Sequence, residues 1–196
     1  MFYIGGFIMK TIKESISSKE FKKLMIYTRG REDLRRNTKK NLLRTFVFLY
    51  YTGARLNELQ TLKIKDVKRL LEKGELFLFT QKTNSQRKLF LSPRFKHDLL
   101  NLEFEDDGEC NLIQRAGHPK SSMHPLSYIT IVNKFIKDTL GPNYTSHSFR
   151  QGLLTEMAAK GINVQIMAKF VGHSSFKTTL NYVTPTDEMV MSSLVR

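Results

Sequence analysis

A single cysteine, Cys110, stands in a chain of 196 residues, so an intrachain disulfide and a multi-cysteine zinc site are both excluded. Long apolar runs are lacking as well. The longest, Phe46 to Tyr51, falls far short of the roughly 20 residues that a bilayer-crossing helix needs. Met1 to Met9 carries little positive charge ahead of its apolar residues and no clear cleavage site, so it does not read as a secretory signal. These absences imply a cytoplasmic protein with no membrane partner. Acidic residues are scarce: 18 Asp and Glu against 32 Lys and Arg leave a formal net charge of +14. What is present, 40% hydrophobic and 26% charged residues, suffices for one ordinary core and excludes a disordered chain.

The charge excess predicts a polyanionic partner, DNA or RNA. It is unevenly spread. From Lys10 to Arg44 there are twelve Lys or Arg and four acids, whereas Asp98 to Glu109 holds six acids and no base. The first stretch reads as a phosphate-facing surface, the second as a solvated loop turned away from nucleic acid. Charge alone is equally compatible with a basic protein that is merely soluble.

Ser17 and Glu20 have the spacing of a capping box and predict a helix running to about Tyr27, with Thr28 to Arg36 as a charged connection. Asn37 or Thr38 is the expected cap of the next helix, in which Leu42, Leu43, Phe46, Val47 and Tyr50 form an apolar stripe at helical spacing. Gly53 is its expected stop, and a short helix begins near Leu56. From Glu75 the period changes. Glu75 to Thr80 and Arg87 to Leu91 read as strands joined across Lys82 to Ser85, with Ile64 to Lys68 as a third strand. Helices are expected over Pro93 to Leu100, Leu126 to Asp138, Phe149 to Lys160, Val164 to Phe170 and Phe176 to Asn181. A last one starts at Thr186, with Asp187 and Glu188 in its first turn. The predicted class is mainly α with a small antiparallel β-sheet.

The informative polar residues sit among apolar neighbours. Arg55 follows a helix end, with Glu58 three residues on and able to orient its guanidinium. His147 and Arg150 lie three positions apart, near a helix start if Ser146 is the cap, and a helix N-terminus with an arginine beside it suits a phosphate. His173 follows Gly172, Tyr182 lies nine residues later, and Lys82 sits in the hairpin turn. No carboxylate cluster of the kind metal nucleases use is visible, and few histidines with one distant cysteine disfavour a zinc nuclease. This set suits phosphoryl transfer without a metal or other cofactor. Arginines neutralise the non-bridging oxygens, a tyrosine attacks, and a lysine protonates the leaving 5′ oxygen. Each residue alone is weak: seven tyrosines are available, and an isolated histidine is more often structural. The combination carries the reading.

Thr52-Gly53-Ala54-Arg55-Leu56-Asn57-Glu58-Leu59, then His147-Ser148-Phe149-Arg150, then Gly172-His173-Ser174-Ser175 with Thr178, Thr179 and Tyr182, resemble the signature of the tyrosine recombinase (phage integrase) family. The resemblance covers about Ser17 to Pro185. It implies the catalytic-domain fold of that family and roles for individual residues. Arg55 and Arg150 become the paired phosphate-binding arginines, and His147 assists proton transfer with the nucleophile. His173 donates to the scissile phosphate, Lys82 is the general acid, Tyr182 the nucleophile and Glu58 a supporting acid. It also implies double-stranded DNA as partner, a covalent 3′-phosphotyrosine intermediate, no cofactor, and self-association as a tetramer on two DNA sites.

Departures from the pattern are Phe149, where leucine is usual, and Gln151, where histidine is frequent. Lys88 and Arg87 lie close enough to Lys82 to compete for the hairpin assignment. Residues 1–16 are expected as an N-terminal extension and 17–196 as the catalytic domain, ending in a helix over 186–196 that docks on a neighbouring protomer. The usual N-terminal core-binding domain is then absent. In size the chain resembles the short recombinases that invert fimbrial promoters. A fragment of a longer protein and a non-enzymatic DNA-binding or recombination-accessory protein that keeps the fold are the competing readings, with a single-strand topoisomerase of the related tyrosine class as a third.

Overall fold

A computed structural model describes residues 14–80, 85–173 and 177–180. Ser17 opens helix α1 (Ser18–Gly30) with the expected capping box: its hydroxyl accepts from Lys19 N–H at 3.1 Å, and Glu20 reaches back to the Ser17 N–H at 3.0 Å. Helix α2 (Arg36–Thr52) is the centre of the molecule. Thr45 to Leu49 are all buried, which happens only when a helix is covered on every side. Phe48 meets Phe95 edge to face at 5.4 Å, and Phe46 packs on both Phe135 and Phe149 with ring centroids 5.9 Å apart. Gly53 ends α2 in the left-handed region, φ 56°, as its place in the sequence predicts.

The short helix α3 (Leu56–Leu59) follows at once, then α4 (Ile64–Lys73). The third strand expected over Ile64 to Lys68 is therefore a helix. Asp66 accepts from the Lys63 N–H at 2.8 Å, capping the first turn, and Ile64, Val67 and Leu70 bury one face at helical spacing. Strands β1 (Glu75–Thr80) and β2 (Ser85–Phe90) pair antiparallel with Phe77 opposite Lys88 and Leu76 opposite Leu89. Among the described residues this two-stranded sheet is the whole β content apart from isolated bridges. Helix α5 (Pro93–Leu100) has its cap on Ser92. Helices α6 (Pro125–Leu140), α7 (Ser146–Ala159), α8 (Val164–Val171) and α9 (Lys177–Leu180) complete the described chain. The helix expected from Thr186 lies outside the described residues.

Two further expectations shift. Helix α2 is capped at Arg35 rather than Asn37 or Thr38, because the Asn37 amide donates to the Gln114 carbonyl at 3.0 Å, beside Asn41 at 2.8 Å. The basic and acidic stretches do not face apart. Arg36 pairs with Glu103 at 3.0 Å, and Lys40 pairs with Glu105. Arg44, its side chain 1% exposed, binds Glu105 at 2.9 Å and the Leu112 carbonyl at 3.1 Å. Burial works against the Glu105 carboxylate, but Lys40, Arg44 and Gln114 outweigh it and hold its pKa down to about 2. Two of the six acids of this loop, Glu103 and Glu105, are thus counter-charges for α2.

The packed unit reaches back to Ile16, which is buried and donates to the Ser148 carbonyl at 2.9 Å. There the chain crosses α7 so closely that a Cβ on Gly152 would lie 2.1 Å from the Ile16 carbonyl oxygen. Phe149, 1% exposed, sets the roll of α7 by stacking on Phe46. Phe149→Ala is expected to cost about 3–5 kcal/mol of unfolding free energy in urea titrations. A loss below 1 kcal/mol would mean that this contact does not hold α7.

Candidate active site

Three chain turns converge beside the end of α2. The first carries Arg55 and Glu58. Arg55 occupies the extended N-cap position of α3, where its N–H donates to Glu58 at 2.9 Å and its Nη1 donates to the other carboxylate oxygen at 3.0 Å. The guanidinium is thereby pinned in its own first turn, with its side chain 28% exposed.

The second is the start of α7. Its cap is Thr145 rather than Ser146: the Thr145 N–H donates to Ser148 Oγ at 3.0 Å, while the Ser146 N–H is taken by Asn133 of α6 at 2.8 Å. His147 is exposed in the first turn. Arg150, one turn on, is buried and donates from Nε to the Gly53 carbonyl at 2.8 Å. This bond fixes α7 against the turn that carries Arg55.

The third follows α8, where Gly172 takes φ 69° and lets the chain reverse into His173. His173 Nδ1 lies 2.8 Å from Thr179 Oγ1 of α9, and its N–H donates to the Ala168 carbonyl at 2.9 Å. Burial, then the positive charges of Arg150, Arg55 and Arg87, push the imidazole down to about 4. It is neutral at physiological pH.

Arg87 was named in the sequence only as a neighbour of Lys82. Strand alternation carried the signal for more: Arg87 shares a face with Leu89, and that face is the buried one. Its Nη2 donates to Glu58 at 3.1 Å, and its Nη1 to the carbonyls of Thr52 at 3.2 Å and Phe170 at 2.7 Å. Burial pulls its pKa down and Glu58 pulls it back, and the guanidinium stays charged. Burial likewise opposes the Glu58 carboxylate, but the Arg87 charge, the Arg55 N–H and the Arg150 charge prevail and hold it below its ordinary value.

The structure therefore brings together Arg55, Glu58, Arg150 and His173 of the predicted set, adds Arg87, and places His147 at the exposed start of the same α7. Lys82 and Tyr182 lie outside the described residues. Three arginines against one carboxylate and a neutral histidine leave an excess of positive charge, held in fixed forks, which is what a phosphodiester requires. A groove of about 1100 Å³ bordered by Phe21, Met25, Tyr50, Arg94 and Leu153 lies elsewhere, and none of these five site residues lines it. Among the described residues, no three His, Cys, Asp or Glu side chains gather to hold a metal ion, and no helix is long and apolar enough to cross a membrane.

His173 makes stability depend on pH with a definite sign. Its folded pKa of about 4 lies below the ordinary 6.5, so between those values the unfolded chain binds the extra proton. Stability rises with pH through this window and is lost as pH falls through it. His173→Gln is expected to flatten the slope of Tm between pH 6.5 and 4 and to leave the steeper carboxylate loss below it. Calorimetric scans with equal slopes for both proteins would refute this.

Residues 14–189 match the sequence profile of the Phage integrase family. The chain is 26% identical over 191 residues to tyrosine recombinase XerA of Pyrococcus furiosus, covering 96% of this chain and 63% of that protein. It thus spans less than two thirds of the length of that relative. The fold is similar to XerH site-specific recombinase bound to difH substrate, with a TM-score of 0.67 at 19% identity, covering 98% of this chain and 57% of that one. It is also similar to the catalytic domain of bacteriophage HP1 integrase, with a TM-score of 0.56 at 15% identity, covering 93% of this chain and 95% of that domain.

Proposed function

Because this chain belongs to the phage integrase family, we propose that it cuts and rejoins double-stranded DNA at specific sites through a covalent 3′-phosphotyrosine. The observation that carries the reading is the convergence of Arg55, Arg150 and His173 at one point, from three separate turns, with Glu58 fixing the first of them.

Each group has a task that its chemistry fits. The forks of Arg55 and Arg150 bind the non-bridging oxygens and become more effective as negative charge builds on the five-coordinate phosphorus. Neutral His173 adds a hydrogen bond without requiring a proton from solvent. Tyr182 attacks phosphorus and gives up its phenolic proton, with His147 assisting. The phosphorus–O5′ bond breaks, and Lys82 delivers a proton to the departing 5′ oxygen. The phosphotyrosine conserves the bond energy, so rejoining to a 5′-hydroxyl reverses these steps without ATP or a metal. Four protomers act on two sites, the segment over 186–196 docks on a neighbour, and the protein works in the cytoplasm. The relative arrangement of the two sites decides between integration, excision and inversion.

The test is covalent trapping. The protein is incubated with nicked suicide duplexes taken from DNA flanking its own gene and resolved in SDS. The expected result is a protein–DNA adduct with a free 5′-hydroxyl on the released strand. Sequence-specific binding with no adduct would overturn the enzymatic reading in favour of an accessory DNA-binding protein. Relaxation of a site-free supercoiled plasmid without recombinants would instead identify a topoisomerase.

A further inference from the structure

We infer that Arg87 is a positioning residue: a strut from β2 that locks the turn bearing Arg55 and Glu58 to the turn bearing His173, and so sets the spacing of the phosphate-binding groups. The inference rests on reading Arg55, Arg150 and His173 as a phosphate site.

The geometry is that of a joint. A single guanidinium, 4% exposed, reaches Glu58 of α3, the Thr52 carbonyl at the end of α2 and the Phe170 carbonyl near the end of α8. Helix ends leave such carbonyls without intrahelical partners, and a cation beside them also meets the negative end of each helix. The aliphatic part of the same side chain lies over Gly172, where a Cβ would come within 2.8 Å of Arg87 Cδ. Gly172 immediately precedes His173. The positions of the His173 turn and of the α2–α3 turn are therefore both referred to one side chain.

Neutralising Glu58 does not by itself account for Arg87. Arg55 already donates to that carboxylate twice, from its N–H at 2.9 Å and its Nη1 at 3.0 Å. Burying a second cation is costly, and an apolar side chain of similar volume would serve packing alone as well or better. What an apolar residue or a lysine lacks is the planar fork that satisfies a carboxylate and two carbonyls at once.

The experiment uses the full chain with Arg87→Lys and Arg87→Met, and Arg44→Met as a control that removes an equally buried arginine far from the site. Two readouts are taken. One is the NMR titration of His173 without DNA, assigned with His173→Gln. The charges that face this imidazole are Arg150 of α7, Arg55 at the start of α3 and Arg87 of β2, with the Thr179 hydroxyl of α9 at its ring. The other is the single-turnover cleavage rate at saturating DNA, set beside DNA affinity. Arg87→Met removes a charge that itself holds the His173 midpoint down, so the positional effect is read in Arg87→Lys, where the midpoint is expected to move up from about 4. Arg87→Lys, which keeps a charge, is expected to lower cleavage at least tenfold with affinity changed less than threefold. Arg44→Met is expected to lower Tm and leave both site readouts in place. Wild-type cleavage together with an unmoved His173 midpoint in Arg87→Lys would overturn the inference. Arg87→Lys therefore decides whether or not Arg87→Met folds. If no DNA yields an adduct with the unmodified protein, the reading of function fails, and the DNA-free titration of Arg87→Lys still decides whether Arg87 holds His173.

Discussion

Tyr182→Phe is expected to abolish the SDS-resistant protein–DNA adduct while leaving DNA affinity within about twofold, that is within about 0.4 kcal/mol. The substitution removes one oxygen and the only atom able to bond to phosphorus. The arginine forks proposed to bind the phosphate belong to other segments, Arg55 at the start of α3 and Arg150 in α7. A phenol ordinarily ionises near pH ~10, so the nucleophile depends on nearby cations and on proton acceptance by a neighbour. The phenyl ring keeps the apolar part of the side chain, which isolates the chemical loss from a packing loss. Persistence of the adduct in Tyr182→Phe would assign the nucleophile to another residue. Mapping the phosphorylated peptide in the unmodified protein provides an independent check.

Arg150→Ala is expected to slow single-turnover cleavage by at least about 10²–10³-fold, the usual effect of deleting one charge-stabilising donor at a reacting centre. Here the loss is twofold in nature. The guanidinium no longer meets the charge that builds on the phosphoryl oxygens, and the Gly53 carbonyl loses the donor 2.8 Å away. An unsatisfied buried carbonyl costs about 1–3 kcal/mol, so a moderate fall in Tm accompanies the kinetic defect. Arg150→Lys separates the two. It restores charge but not the fork, and is expected to recover part of the rate while remaining well below the unmodified protein. Cleavage unchanged in Arg150→Ala would remove Arg150 from the mechanism.

The features legible in the sequence were those that close over three or four residues. The Ser17–Glu20 capping box, the stop at Gly53 and the Ser92-Pro93 start of α5 stand where local spacing puts them. The segment Ile64 to Lys68 misled because five residues with two β-branched apolar side chains fit either period. Burial of Leu70, beyond that window, and the Asp66 cap decide for the helix. The pairing of Arg44 with Glu105 joins residues far apart in the chain, and no local pattern reports it. At the site, Arg55, Arg150 and His173 were identifiable as chemical types at characteristic spacings. Arg87 was legible only as an inward position of a strand, and its reason for being charged appears once Glu58, Thr52 and Phe170 are seen around it.

The neutralisation of α2 by the acidic loop has a consequence for how the protein answers to salt. A cation that already holds a carboxylate has no loosely held anion of its own to exchange, and it offers little to a phosphate arriving from DNA. Lys40 and the buried Arg44 are in that position, both bound to Glu105. The ionic-strength dependence of DNA binding counts the phosphates actually met, each contributing about −0.9 to the slope of log K on log salt concentration. Two of the basic side chains that make the N-terminal stretch look like a phosphate-facing surface drop out of that count. The slope is set by the remaining cations, so the net charge of +14 overstates the number of ions that move when the two molecules meet.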